Sequence, residues 1–184
     1  MGGPQADDDG TLDDGAPDGV AVVRVTGRDQ LEQAWAVRTE VFVDEQRVPA
    51  EEEIDALDTA ATTTHVLAVD TATGAAVGTG RLLADPAHPG EVHLGRLAVR
   101  AAARGRGVGA RMVVAIEGIA LAEHGTRTPA PGATGPDRIS VTVVLSAQEH
   151  ALDFYRRLGY ELVSGERYLD AGIWHQDMAH RITS

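Results

Sequence analysis

Apolar positions recur along the chain with two periods. Val20 to Val25 is a short β-branched run that predicts a strand. Leu31, Ala34, Trp35, Arg38 and Phe42 follow at helical spacing and predict a helix to about Val43. Asp29 is its candidate N-cap, with Glu32 three residues on. Pro49 breaks the chain, and the acidic run Glu51 to Glu53 opens a second, short helix. Thr64 to Val69 and Ala76 to Leu83 read as strands joined by turn residues from Asp70 to Gly74. After a loop from Asp85 to Gly90, Glu91 to Val99 reads as a strand. Glu91 and His93 share one face of it, and the alternation slips near Gly95-Arg96, which predicts a bulge. Gly107 to about His124 is a long helix with Val108, Met112, Val113, Ile116 and Ile119 as its apolar stripe. Gly125 to Asp137 is a loop, Ile139 to Leu145 a buried strand, and Gln148 to Leu158 a helix closed by Gly159. Short strands are expected around Tyr160 to Val163 and Gln176 to Ile182. The order β-α-α-β-β-β-α-β-α-β-β, without an internal repeat, predicts a mixed sheet with helices on both faces.

Composition narrows the class. The 184 residues are 43% apolar, which suits one domain with a full core over 20–184. Residues 1–19 hold six Asp and no Arg, with Leu12 the only large aliphatic besides Met1, and are expected to form a disordered acidic tail. That tail supplies about half of the net charge of −12. The remainder sets 22 acidic groups against 16 basic ones, so no nucleic-acid partner is expected. No stretch approaches the roughly 20 apolar residues of a membrane span. The first residues lack a basic region followed by an apolar run, so no secretory signal is expected and the cytoplasm is the default compartment.

The absence of cysteine excludes disulfides, a thiol nucleophile and thiolate metal sites. No histidine spacing suggests a metal, and none is expected. All 16 basic residues are Arg, so neither a P-loop lysine nor a Schiff-base lysine exists. With the abundant Ala, Gly and Asp, this composition points to a GC-rich genome or a salt-adapted proteome.

The strongest local signal runs from Leu97 to Ala110. A strand ends at Leu97-Ala98-Val99, and the loop Arg104-Gly105-Arg106-Gly107-Val108-Gly109-Ala110 opens the long helix. Glycines let backbone N–H groups converge, and the first helical turn carries unpaired N–H groups with a partial positive charge. Together with Arg104 and Arg106 these make an anion site suited to a diphosphate. Gly105-x-Gly107-x-Gly109 fits neither a P-loop nor the dinucleotide fingerprint.

Arg104-x-x-Gly107-x-Gly109 after a strand resembles the acyl-CoA signature of the GNAT superfamily of N-acetyltransferases, whose backbone amides hold the coenzyme pyrophosphate. Gln148 to Tyr160 resembles the family's N-x-x-A-I-x-x-Y-x-x-x-G-F, with Gln148 in place of Asn. Arg38-Thr39-Glu40-Val41-Phe42-Val43-Asp44-Glu45-Gln46-Arg47-Val48-Pro49 is similar to the opening of the ElaA-type branch. Ala171 to Met178 is similar to that branch's ending, with Trp174 in place of a Pro. The resemblance covers about Val20 to Arg181. It implies an α/β (α+β) fold with a central mixed, mostly antiparallel sheet of about 6–7 strands flanked by about four helices.

The resemblance also implies an acetyl-CoA-dependent N-acetyltransferase, in which a primary amine of a small molecule or protein attacks the thioester directly in a ternary complex. Leu97, Ala98 and Val99 would pair their backbone with the pantetheine arm, and an N–H near Leu97 or Ala98 would stabilise the oxyanion. Arg104 through Ala110 would hold the pyrophosphate, and Gln148 would contact the pantetheine. Tyr155 occupies the general-acid position that protonates the leaving thiolate. Glu91, His93 and Glu45 are candidates for the base, with a solvated strand pair and a helix-end carboxylate as the alternatives. Glu45 could also bind a cationic acceptor. Arg38 could recognise a substrate carboxylate or pair with a local acid such as Asp55 or Asp58. Trp174 could wall the acceptor pocket or simply pack, Trp35 is expected in the core, and His65 and His175 could lie near the site. A monomer or homodimer is expected. Two other functions remain open: an acyl-CoA-binding sensor without turnover, and an enzyme resembling acyl-homoserine-lactone synthases through the Arg38 to Val43 opening.

Overall fold

A computed structural model describes residues 11–13, 19–128 and 138–184. Its centre is a ten-stranded sheet in the order β1-β2-β3-β4-β5-β7-β10-β8, with β6 paired to β7 and β9 to β10. The strands are β1 (Thr11–Asp13), β2 (Val20–Arg24), β3 (Thr63–Asp70), β4 (Ala76–Ala84), β5 (Glu91–Val99), β6 (Thr126–Thr128), β7 (Arg138–Gln148), β8 (Glu161–Leu162), β9 (Tyr168–Asp170) and β10 (Ile173–Thr183). Every pairing is antiparallel except β5 with β7. The helices are α1 (Arg28–Arg38), α2 (Ala50–Glu53), α3 (Val108–His124) and α4 (Leu152–Arg157). None of them is long and apolar enough to cross a membrane.

The mixed, mostly antiparallel sheet with four helices matches the expected fold class, with three short strands more than foreseen. Those three are β1, β6 and β9. The expected disorder of residues 1–19 therefore does not hold for Thr11–Asp13, which pair with Val22 and Val23 and cover the exposed edge of β2. Residues 1–10 and 14–18 lie outside the described residues. The loop expected over 125–137 begins with β6, because Thr126–Thr128 extend the ladder beside Arg138–Ser140. Residues 129–137 lie outside the described residues.

Side-chain alternation divides the core between the two faces of the sheet. Val66 and Ala68 of β3 pack with Met112, Val113 and Ile116 of α3, whereas Leu67 packs with Ala34 and Val37 of α1. Gly80 lets α3 approach β4 closely, since a Cβ there would lie 2.7 Å from Ile116 Cδ1. Helix α1 is capped by Gly27 rather than by Asp29, which sits inside the first turn. The Gln30 side chain performs the capping instead, accepting the Thr26 N–H at 2.7 Å. Beyond Arg38 the helix does not continue as α: Thr39–Glu45 form a π-helical segment, a widening that often marks a functional site.

Candidate functional site

The central strands begin paired and then separate. β5 and β7 pair only at Glu91–Thr142, Val92–Val143 and His93–Val144. In β5 the predicted bulge is present: Thr79 faces Ala98 and Arg81 faces Gly95, so Arg96 and Leu97 together oppose Gly80. Arg96 adopts a left-handed φ of 52°. The extra residue inverts the phase of the strand. Val92 and Leu94 pack towards α3, while Ala98 packs with the α1 cluster. Beyond the bulge a groove of about 1000 Å³ opens, with Gly95 to Val99 on one wall and Ser146 and Gln148 of β7 on the other.

One end of the groove is an anion cradle. After Val99 the chain makes a 3₁₀ turn at Ala101–Ala103 and then enters α3 through Gly105 and Gly107, with φ of 77° and 76°. A Cβ at either glycine would meet nothing within 4 Å, so the cradle is open on that side. Gly107 is the N-cap and makes no side-chain cap, and Val108, Gly109 and Ala110 of the first turn line the groove. This arrangement fits a diphosphate: converging N–H groups, a helix N-terminus and no side-chain obstruction. Arg104 also lines the groove; its Nε donates to the Val99 carbonyl at 2.9 Å and its Nη2 pairs with Glu45 Oε2 at 2.6 Å. Arg106 is not among the lining residues; its charge helps hold the Asp70 carboxyl below its usual range, after the hydrogen bonds from Thr73.

Tyr155 lies midway along α4, buried and lining the groove, edge-on to Phe154 at 4.9 Å and to Tyr160 at 5.6 Å. Burial pushes its phenol up to about 12, so it holds its proton throughout the physiological range. Gln148 is the last residue of β7, not the start of a helix, because the ladder with β10 continues to Gln148–His175. Its Nε2 donates to Gln46 Oε1 at 2.8 Å, joining the sheet to the segment after α1. His175 lines the groove and stacks on Tyr168 with centroids 6.0 Å apart. His65 is buried instead beneath the 3₁₀ turn Ala56–Thr59, its Nε2 3.0 Å from the Asp58 carbonyl oxygen.

A further stretch of the groove is lined by Phe42 and Glu45 of the π segment and by Glu52 and Glu53 of α2. Glu53 is the buried carboxylate of this wall, 3% exposed. Its Oε1 takes Arg38 Nε at 2.5 Å and Arg96 Nε at 3.3 Å. Arg38 also reaches Asp58 at 2.6 Å, and Asp58 in turn pairs with Arg81 at 2.8 Å and accepts from Trp35 Nε1 at 3.2 Å. Burial raises the Glu53 pKa and outweighs the opposing charges of Arg38, Arg96 and Arg81. For Asp58 burial is outweighed by its bonds and charges with Arg38 and Arg81, which hold the carboxyl below its usual range.

Several sequence expectations are corrected by these positions. Arg38 is fully buried in this ionic cluster and takes the second of its two expected roles, pairing with the local acid Asp58 and with Glu53. Glu91 and His93 sit where β5 is still paired to β7, exposed and outside the groove lining. Trp174 also lies outside it: alternation along β10 turns Ile173 and His175 towards the groove and Trp174 away, under the Arg167 guanidinium at 4.6 Å. Glu53, Arg96, Gln46 and Phe154 were not foreseen as lining residues. For Glu53 the sequence holds only a weak signal, a carboxylate within an acidic triplet.

Residues 61–162 match the family described as the acetyltransferase (GNAT) domain. The chain is 37% identical to the uncharacterized N-acetyltransferase YjcF of Bacillus subtilis (strain 168) over 150 residues, 82% of this chain and 91% of that one. Among solved structures it is similar to Escherichia coli ElaA, with a TM-score of 0.70 and 25% identity, covering 87% of this chain and 98% of that one. It is also similar to an acyl-CoA N-acyltransferase from Pseudomonas aeruginosa, with a TM-score of 0.69, 30% identity and the same coverage.

Proposed function

The chain belongs to the GNAT family of acetyltransferases, and from that premise we propose that it transfers an acetyl group from acetyl-CoA to a primary amine by direct attack within a ternary complex. Acyl transfer from an acyl-CoA is the family's activity; the acetyl group, the amine and the mechanism are the proposal. The observation that carries it is the continuity of one groove, from the diphosphate cradle at Arg104 to Ala110, past the bulge, to Tyr155.

In this reading the N–H groups of Val108, Gly109 and Ala110 and the Arg104 guanidinium bind the coenzyme diphosphate. Leu97, Ala98 and Val99 lie where the β7 side of β5 is unpaired, so backbone groups on that side are open to the pantetheine, with Gln148 on the opposite wall. An N–H beside the bulge donates a hydrogen bond to the carbonyl oxygen as negative charge develops on it. Tyr155 gives its proton to the departing sulfur. Its raised pKa keeps the proton available through the physiological range. The amine enters along Phe42, Glu45 and Glu53. The cytoplasm is the compartment this reading assigns.

The chain lacks cysteine, so a thiol reagent reports coenzyme release without protein background. Primary amines spanning alkyl amines, diamines, amino sugars and peptide N-termini are to be incubated with acetyl-CoA, with products identified by mass spectrometry. An N-acetylated product formed faster than without protein supports the proposal. Tight acetyl-CoA binding with no product across all four classes would replace it by a non-catalytic acyl-CoA sensor.

A further inference from the structure

We propose that Glu53 is the catalytic carboxylate that receives the attacking amine and takes its proton, and that Arg38 and Arg96 are the residues that position it. This rests on the acyl-transfer reading of the groove and names the group that completes it.

The first argument is place. Glu53 ends α2, is 3% exposed, and still lines the groove. Arg96 ties it to the bulge. Its Nε lies 3.3 Å from Glu53 Oε1 and donates to the Glu53 carbonyl, and its Nη2 donates to the Glu52 carbonyl at 3.0 Å. Arg96 directly precedes Leu97, so the carboxylate and the backbone that would face the thioester are held by one bulge.

The second argument is chemistry. Both guanidinium contacts fall on Oε1, leaving Oε2 to accept a hydrogen bond from an amine. The groups around the carboxylate are Arg38 from α1, Arg96 from β5, Arg81 from β4, Asp55 and Asp58 from the 3₁₀ turn, and Glu52 beside it on α2. The arginines keep the anion soluble in a buried place, while burial keeps it basic. Glu45, by contrast, is bound to Arg104 of the coenzyme cradle, and Glu52 is exposed. Among the described residues Glu53 is the groove's buried carboxylate.

The third argument is cost. Arg38, Arg81, Arg96, Glu53, Asp55 and Asp58 interlock beneath the groove. Packed apolar residues of similar volume would hold α2 equally well or better. An ionic lattice that holds one buried carboxylate at the wall of a cavity is the pattern of a functional site.

The step balances. The N–C bond forms, the C–S bond breaks, Glu53 takes a proton from nitrogen and Tyr155 supplies one to sulfur. Solvent then removes the proton from Glu53 and restores that of Tyr155.

The test uses the full chain with acetyl-CoA and ethylamine, a nucleophile small enough for any acceptor pocket, between pH 6 and 10. Thiol release and N-ethylacetamide are measured, with acetyl-CoA affinity measured separately by calorimetry. Glu53→Gln is expected to cut the rate about 100-fold at pH 7 and leave acetyl-CoA affinity unchanged. The deficit should shrink as pH rises and the free amine accumulates. If the amide variant fails to fold, Glu53→Asp retains the charge beside Arg38 but withdraws it by one methylene, and is expected to lose about tenfold. A rate within threefold of wild type in either variant, or a deficit independent of pH, overturns the assignment of Glu53. A wild type that does not bind acetyl-CoA, or that binds it without accelerating ethylamine acetylation, would instead remove the acyl-transfer reading itself, and the assignment with it.

Discussion

Arg104 Nη2 lies 2.6 Å from Glu45 Oε2, so the loop that enters α3 and the π segment that follows α1 are joined by one ion pair across the groove. Both side chains are partly exposed, 46% and 34%, which limits the pair to under about 1 kcal/mol. On the proposed reading, Glu45 would compete with a diphosphate for the same guanidinium without holding it firmly. Glu45→Gln is expected to tighten acetyl-CoA binding about threefold at low ionic strength, with the gain fading as salt screens the charge. Calorimetry at two salt concentrations measures this. Weaker binding in the variant would mean that Glu45 orients Arg104 rather than competing for it.

Tyr155 should separate binding from chemistry. Tyr155→Phe removes one oxygen from a buried ring held between Phe154 and Tyr160, so the packing survives. Turnover is expected to fall about 100-fold with acetyl-CoA affinity unchanged. Because burial holds the phenol at about 12, its ionisation should not limit activity below pH 10. A wild-type activity that declined with an apparent pKa near 8, and a Phe variant lacking that decline, would contradict the assignment.

Arg38 should be a stability residue as well as a positioning one. Its removal in Arg38→Ala leaves the Glu53 and Asp58 carboxylates buried without their shared partner. A loss of about 3–5 kcal/mol is expected, or roughly 10 °C or more in Tm. Calorimetric melting measures it, and a fall of under 2 °C would show that the cluster contributes little to the fold.

His65 should make stability depend on pH near neutrality. Burial lowers its pKa below that of an unfolded histidine, against the opposing pull of Asp58. The unfolded chain therefore binds the proton more readily. The corresponding stability is complete above about pH 6.5 and is lost as pH falls through the folded value. His88, whose pKa is raised by its bond to Asp85, acts in the opposite direction but is fully exposed. Urea unfolding at pH 7.5 and 5.5 should show a loss for wild type that His65→Gln largely abolishes. An unchanged loss in the variant would assign the effect to other groups.

The parts of the site that depend on local backbone chemistry were legible in the sequence. The slipped alternation at Gly95-Arg96 foretold the bulge, and the glycines from Gly105 to Gly109 foretold a loop that opens α3, which the chain enters with Gly105 and Gly107 at positive φ. What was missed depends on which partner a residue meets. Glu91 and His93 looked suited to proton transfer, yet they lie where the β5–β7 ladder is still closed, and only three-dimensional pairing decides where it opens. Trp174 shared a segment with groove residues but faces the other way, because β10 stays regular through it. The short strands β1, β6 and β9 have no hydrophobic alternation long enough to read; each exists because a longer neighbour offers unpaired backbone groups. The π segment after Arg38 was read as plain helix, since periodicity does not register one widened turn.

The central claim is that the groove binds acetyl-CoA through the first turn of α3. Gly107 is a poor position to probe, since its φ of 76° strains any side chain. Ala110 lies in that turn and lines the groove, and a glutamate there suits a helix N-terminus while placing a carboxylate where the diphosphate would lie. Isothermal titration of acetyl-CoA into wild type and Ala110→Glu is therefore the most direct measurement. The expected result is a Kd on the order of micromolar for wild type, weakened at least about 100-fold in the variant at an unchanged Tm. A wild type that does not bind, or a variant that binds as well as wild type, would contradict the account.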